Sequence, residues 1–185
     1  MKRKYLKKVV KITYHLEGNL ILFYKMVIKF RPEKMESIFI TCGCGNRFEK
    51  EKFKPIQNRR FCKPAGGLWA GLEGSRKSWI DWCEAEEFRL EKYKSSQFRF
   101  RLKEGSRVYI ISSVVDVETA PLQKKGPHDW SYYIDFEKMA EEYDAVLLTD
   151  AGEAATRWSD PYSLYGWDVE SLLVLNPDCI EEIVP

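Results

Sequence analysis

Short apolar runs, cut off at irregular intervals by glycine, proline and asparagine, constrain the fold of this chain more than any other feature. Glu36 to Thr41 (ESIFIT) is β-branched and aromatic and stops at Cys42-Gly43-Cys44-Gly45-Asn46. This predicts a strand that runs into a glycine loop, with Thr41 and Cys42 at the strand end. Phe98 to Leu102 alternates apolar residues with Arg, Arg107 to Ser112 is rich in Val, Tyr and Ile, and Ala145 to Leu148 is wholly apolar. Each reads as a strand. Val169 to Leu175 adds another apolar run, closed by Asn176-Pro177-Asp178. Two helix signals lie between these runs. Ser75 or Ser78 caps a segment reaching Phe88, with Trp79, Trp82 and Cys83 at i, i+3, i+4 spacing, a stripe that reads as core. Asp135 to Tyr143 forms a second, shorter helix. The class is α+β, because strands and helices do not alternate as a doubly wound parallel sheet requires. No internal repeat or low-complexity tract is present.

Composition narrows the class further. Of 185 residues 14 % are aromatic, and such side chains need burial or a stacking partner, which excludes extended disorder. The length suits one ordinary core-forming domain. Leu20 to Phe30 contains Lys25 and Lys29 and falls far short of the ~20 apolar residues of a membrane-spanning helix. The basic start (Met1-Lys2-Arg3-Lys4) runs into Lys11, His15, Glu17 and Asn19 without a small-residue cleavage site, so export is not expected. Five cysteines (Cys42, Cys44, Cys62, Cys83 and Cys179) are an odd number in a chain of this size, which suits a reducing, cytoplasmic setting. Cys62 and Cys83 stand alone and lack the paired spacing of a structural zinc site, so no metal is expected. His15 and His128 have no Cys or Ser partner at a telling position, and no serine elbow occurs.

The net charge of +2 hides a gradient. Residues 1 to 34 hold ten Lys/Arg against two Glu, a net +8, whereas residues 110 to 185 hold four against sixteen Asp/Glu, a net −12. We take 1–34, ended by Arg31-Pro32-Glu33, as a basic N-terminal extension with a strand over 20 to 30, and 35–185 as the folded domain. The extension is suited to nucleic acid or another polyanion, but equally to the acidic rear of the chain or to solvent.

Two constellations carry chemistry. Trp167-Asp168-Val169-Glu170 sets two carboxylates two residues apart at the head of an apolar strand, and residues i and i+2 of a strand share a face. Lys63-Pro64-Ala65-Gly66-Gly67-Leu68-Trp69 offers a glycine pair that admits close backbone approach or positive φ, followed by an apolar floor. Its alternative role is a tight turn anchored by a core Trp. It is not a phosphate P-loop, since the Gly-Lys-Ser/Thr ending is missing.

Taken in order, the strand ending in Ile40-Thr41-Cys42-Gly43, the Gly66-Gly67-Leu68-Trp69 turn ahead of a helix, and the late strand opening with Trp167-Asp168-Val169-Glu170-Ser171 resemble the ADP-ribosyltransferase superfamily, over roughly residues 36 to 183. The resemblance implies a split, mixed/antiparallel sheet with short flanking helices, and NAD as substrate. It further implies a protein or nucleic-acid acceptor, and a toxin, phage-defence or counter-defence setting among small bacterial or phage enzymes. Glu170 would stabilise the ribosyl cation, and Asp168 would orient or deprotonate the acceptor. Thr41, Cys42, Gly43, Lys63, Gly66, Gly67, Leu68 and Trp69 would bind NAD. Where the family's first strand ends in Arg or His, this chain has Cys42, so either Thr41, the Gly43 backbone or a basic residue such as Lys63 holds the cofactor, or activity is lost. The family's middle Ser or Thr has no certain counterpart, and Gly71 lies near its place. The competing reading is a non-catalytic protein-interaction module on the same fold, using Trp69, Trp79 and Trp82. A phosphotransferase acting on RNA ends is a third reading, one that calls for more Arg and His.

Overall fold

Alternating burial along short β-branched and aromatic runs builds one mixed seven-stranded sheet between residues 39 and 183. The computed structural model describes residues 6–16, 19–29, 37–59, 63–124 and 130–183, and the chain divides into two units, 1–35 and 36–185. In the first unit the backbone forms one antiparallel hairpin of β1 (Leu6–Leu16) and β2 (Asn19–Lys29). β2 answers to the strand expected over 20 to 30. The polyanion-contacting role read for 1–34 rests on side chains outside the described residues.

The second unit contains β3 (Phe39–Thr41), β4 (Leu68–Leu72), β5 (Arg99–Leu102), β6 (Val108–Ile111), β7 (Leu122–Gln123), β8 (Tyr133–Ile134), β9 (Ala145–Leu148), β10 (Ser171–Val174) and β11 (Ile180–Ile183). Its helices are α1 (Trp79–Ala85), α2 (Leu90–Lys94), α3 (Val114–Thr119), α4 (Phe136–Glu142) and α5 (Asp150–Thr156). The sheet runs β11-β5-β3-β4-β10-β9-β6, with every neighbouring pair antiparallel except β6 and β9. β7 and β8 pair separately. The architecture is therefore mixed α+β. The seven strands form one continuous sheet where the family resemblance had implied a split one. No helix among the described residues is long and apolar enough to cross a membrane.

Register assigns the faces. Leu173 lies opposite Trp69 on one side and Val146 on the other, and Ile40 lies opposite Gly71, so these side chains share a face. That face packs against Val117 of α3 and Phe136 and Met139 of α4 in a core that also holds Ile111, Leu148 and Trp167. Phe39 and Phe100, paired across β3 and β5, occupy the other face with ring centroids 5.8 Å apart. β10 is buried on both faces through Leu172, Leu173 and Val174, each of which stabilises the fold by ~1.5–3 kcal/mol. The strand that leads out of the Asp168/Glu170 segment is thus held on both faces.

The helix expected from residue 75 to 88 is shorter than its apolar stripe. Ser78 accepts from the Asp81 N–H while Asp81 accepts from the Ser78 N–H, so a capping box starts α1 at Trp79. Glu84, Glu86 and Glu87 crowd its C-terminal end, where the helix dipole disfavours carboxylates. The chain then takes positive φ at Glu87 and Arg89 before α2. Cys83 is fully buried as expected of the stripe, but Trp79 and Trp82 are only half-buried.

Candidate functional site

β3, β4 and β10, which follow or precede the three motif segments, are adjacent in the sheet. A cluster forms where the second and third of these segments meet. Lys63, in the turn before β4, places its Nζ 5.7 Å from the centroid of the Trp69 ring and 5.5 Å from that of Trp79. The same Nζ lies 3.4 Å from Oδ2 of Asp168. Electrostatic attraction to two indole faces and a carboxylate holds the cation in this position. Trp79 is itself fixed from behind, stacked on Trp82 at 4.7 Å and meeting the Tyr93 ring edge-on at 5.7 Å.

The other Asp168 oxygen lies 3.3 Å from Nη2 of Arg157, whose Nη1 donates to Oε1 of the buried Glu153 at 2.9 Å. Glu153 keeps the Arg157 guanidinium protonated beyond its ordinary range, against the opposing effect of burial, with Asp168 adding to it. Asp168 is thus engaged by two cations. Glu170, half-buried, forms no hydrogen bond or ion pair among the described residues.

Asp168 and Glu170 both precede β10, so their expected place within the strand is corrected. Trp167 explains the departure: its buried ring meets Trp69 edge-on at 4.6 Å and stacks on Phe136 at 6.0 Å. Trp69 stands opposite Leu173, and a straight strand at ~3.3 Å per residue would carry Trp167 about 20 Å beyond it. The chain therefore turns back over the sheet at 167–170, with the Ser171 hydroxyl donating to the Val169 carbonyl at 2.8 Å. Burial still alternates, with Trp167 and Val169 inside and the two carboxylates on the more open side. On the Trp69 face of β4, a side-chain carbon at Gly71 would meet nothing within 4 Å among the described residues.

The remaining expected binding residues serve the fold. Thr41 is fully buried; its N–H donates to the Phe98 carbonyl at 3.0 Å and its Oγ1 accepts from the Phe98 N–H at 3.3 Å. The Cys42 thiol accepts from Gln97 at 3.6 Å and is pushed up to about 11 by burial, reinforced by Cys83 and Cys44. It is uncharged near neutrality and supplies neither a cation nor a reactive thiolate. Gly43, at φ +81°, lets Tyr93 pack where a side-chain carbon would come within 2.8 Å of the ring. Gly66 and Gly67 have positive φ, and side chains there would strike the Pro55 carbonyl at 2.1 Å and the Val174 carbonyl at 2.8 Å. The pair is thus the tight turn rather than an open backbone cradle. Leu68 is buried on the face opposite Trp69 and does not share its wall.

Lys63, Trp69, Asp168 and Glu170 remain from the expected set, and Trp79, Tyr93 and Arg157 join them. Arg157 carried a readable signal: it is the one basic residue after Lys138, set in an acidic stretch. Cys62 and His128 lie outside the described residues, as does the His15 side chain, and among the described residues no three His, Cys, Asp or Glu side chains converge on a metal position. Comparison of the chain with protein-family models, with curated proteins and with solved structures finds no match.

Proposed function

We propose that residues 36–185 are an ADP-ribosyltransferase-like domain that cleaves the nicotinamide glycosidic bond of NAD and transfers ADP-ribose to a macromolecular acceptor. One observation carries the reading: motif segments far apart in sequence contribute Lys63, Trp69 and Asp168 to a single cation–aromatic–carboxylate cluster. NAD needs aromatic or apolar walls for its rings, positive charge for its pyrophosphate, and a carboxylate near the reacting ribose. Trp69 and Trp79 fit the first requirement, Lys63 and Arg157 the second, and Glu170 the third.

In this reading the C1′–N bond breaks with its electron pair going to nicotinamide. The acceptor's nucleophilic atom then bonds C1′ and gives up its proton to solvent water. Glu170 stabilises the positive charge that develops on the ribose, a preorganised electrostatic contribution that is commonly the largest in catalysis. Asp168, already held by two cations, positions Lys63 and Arg157 rather than acting as the base. The neutral Cys42 thiol, where the family has a cation, favours the second reading, a non-catalytic protein-interaction module on the same fold.

The test is nicotinamide release from NAD by the full chain with cell extract as acceptor, for wild type, Glu170→Gln and Asp168→Asn. The expected result is turnover that falls by about 100-fold or more in Glu170→Gln, in line with loss of one transition-state electrostatic contact, and a raised KM in Asp168→Asn. A wild type that neither binds nor cleaves NAD overturns the transferase reading in favour of the interaction module.

A further inference from the structure

β11 and β6 are the two edges of the seven-stranded sheet, and they are built differently. β11 reads Ile-Glu-Glu-Ile, with Glu181 exposed and the Glu182 carboxylate accepting from the Phe48 N–H at 3.2 Å. Charge on an edge strand guards it against pairing with another chain. β6 reads Val-Tyr-Ile-Ile and pairs with β9 in unbroken register, so it carries no charge, no proline and no bulge. We propose that the outer edge of β6 pairs antiparallel with β6 of a second copy of this chain, about a two-fold axis at Tyr109, which joins the two sheets into one. The pairing does not depend on the NAD reading.

The hydrogen bonds to β9 fix which backbone groups face outward. The Arg107 carbonyl accepts from the Ala145 N–H at 3.3 Å, and the Ile111 carbonyl accepts from the Thr149 N–H at 3.0 Å. Along a strand the bonds to one neighbour come from every second residue. Arg107, Tyr109 and Ile111 therefore address β9, while the N–H and C=O groups of Val108 and Ile110 point away from it. No described residue bonds to those four outward groups. The open stretch is closed at both ends, because the Ser106 N–H donates to the Lys103 carbonyl at 3.2 Å and the Ser112 N–H to Oδ2 of Asp116 at 2.9 Å.

Self-complementarity selects the occupant. In an antiparallel pair, two residues opposite each other exchange both of their hydrogen bonds. With Val108 opposite Ile110 of the second copy, and Ile110 opposite its Val108, all four outward groups of each copy are bonded. Shifting the register by two residues in either direction brings up Ser106 or Ser112 instead, whose N–H groups are already engaged. The same register sets the half-buried Val108 and Ile110 in two apolar cross-strand pairs on one face and Tyr109 against its own counterpart on the other. Tyr109 is held for this contact, its hydroxyl donating to the Asp116 carbonyl at 2.5 Å and its ring meeting Tyr143 edge-on at 5.1 Å. Val115, next to Asp116 in α3 and 54 % exposed, adds apolar surface. A second copy brings matching backbone groups and apolar side chains together, and a net charge of +2 opposes its approach little. Such an isologous pair closes on itself and uses up the edge.

The test follows the mass of the full chain by sedimentation equilibrium over a wide range of concentration, for wild type and Ile110→Lys, with thermal melting of both to confirm the fold. Wild type is expected to pass from monomer to dimer. Ile110→Lys places a charge on the edge and should raise the dissociation constant by about tenfold or more, since the two-fold axis counts each lost cross-strand pair twice. Amide exchange of the wild type, read by nuclear magnetic resonance, needs no variant and decides the matter if Ile110→Lys fails to fold. The Val108 and Ile110 N–H groups should exchange slowly in the dimer and fast on dilution, while those of Tyr109 and Ile111 stay slow throughout. A wild type that is monomeric at every concentration overturns the proposal, and slow Val108 and Ile110 amides in that monomer would assign the edge to a strand of the same chain. A dimer that persists unweakened in folded Ile110→Lys, or one whose Val108 and Ile110 amides exchange fast, is formed elsewhere and overturns it as well.

Discussion

Asp144→Asn tests the energetic argument most directly, because Asp144 ties together three strand ends. Its carboxylate is buried and accepts from the Arg107 N–H at 2.8 Å, just before β6, and from the Asn176 amide at 2.9 Å, just after β10. Its own carbonyl accepts from the Leu175 and Asn176 N–H groups at 2.8 and 3.0 Å. Burial pushes this carboxyl up, but the hydrogen bonds from the Arg107 backbone and Asn176, with the Arg107 side chain and its charge, prevail and hold it below 3.8. The Arg107 side chain is 57 % exposed, so its ion pair adds little. Asparagine keeps one acceptor but turns an amide toward one of these donors, which strands a buried hydrogen-bonding group at ~2 kcal/mol. A domain of this size loses about 2–4 °C of Tm per kcal/mol, so melting followed by circular dichroism should fall by about 4–8 °C at pH 7. A depressed folded pKa stabilises above the unfolded value and is lost as pH falls through the folded one. The gap between variant and wild type should therefore be constant at neutral pH and close below about pH 4. Coincident melts at pH 7, or a gap that survives in acid, would refute the reasoning.

Two further substitutions or treatments bear on the residues around the site. Gly66→Ala adds a carbon 2.1 Å from the Pro55 carbonyl at positive φ, at a cost of ~2–5 kcal/mol from backbone strain and overpacking; a melt indistinguishable from wild type would show that this turn is not so constrained. Iodoacetamide at pH 7 to 8, followed by peptide mass mapping, should modify exposed Cys44 ahead of Cys42, whose thiol is pushed up to about 11, and Cys42 labelling should climb with pH. Labelling of Cys42 as fast as that of a free cysteine at pH 7 would contradict the burial described for it.

Much of the sheet is legible because burial on a pleated strand leaves a local pattern. β3, β5, β6, β9 and β10 all lie inside runs whose β-branched, aromatic or alternating residues mark them. α4 is legible too, since Asp135 caps it and accepts from the Lys138 N–H at 3.1 Å. β4 is not, because Leu68-Trp69-Ala70-Gly71 reads as the tail of a glycine turn and becomes a strand only by lying between β3 and β10. α5 hides in a polar stretch for a similar reason. Gly152 lowers its helix propensity, yet this glycine lets α5 sit directly on β6, where a side-chain carbon would come within 2.1 Å of the Ile111 carbonyl. Tertiary packing overrides local preference at both places.

The candidate site divides along the same line, and the division separates its two carboxylates. The i, i+2 spacing of Asp168 and Glu170 is visible in sequence, but their partners are set by the turn back at Trp167, which depends on Trp69 and Phe136 as receiving surfaces. That turn brings Asp168 to Lys63, distant in the chain, and to Arg157, the residue that caps the C-terminal end of α5. A partly buried carboxylate between two cations has its charge already satisfied, so it is poorly placed to gain further from a cationic transition state. Glu170 keeps its charge partly withdrawn from water with no cation beside it among the described residues. The proposed ribosyl cation would supply the partner that the fold withholds from Glu170 and gives to Asp168. For that reason the two conservative amides, Glu170→Gln and Asp168→Asn, separate a residue that meets the reacting centre from one that positions its surroundings.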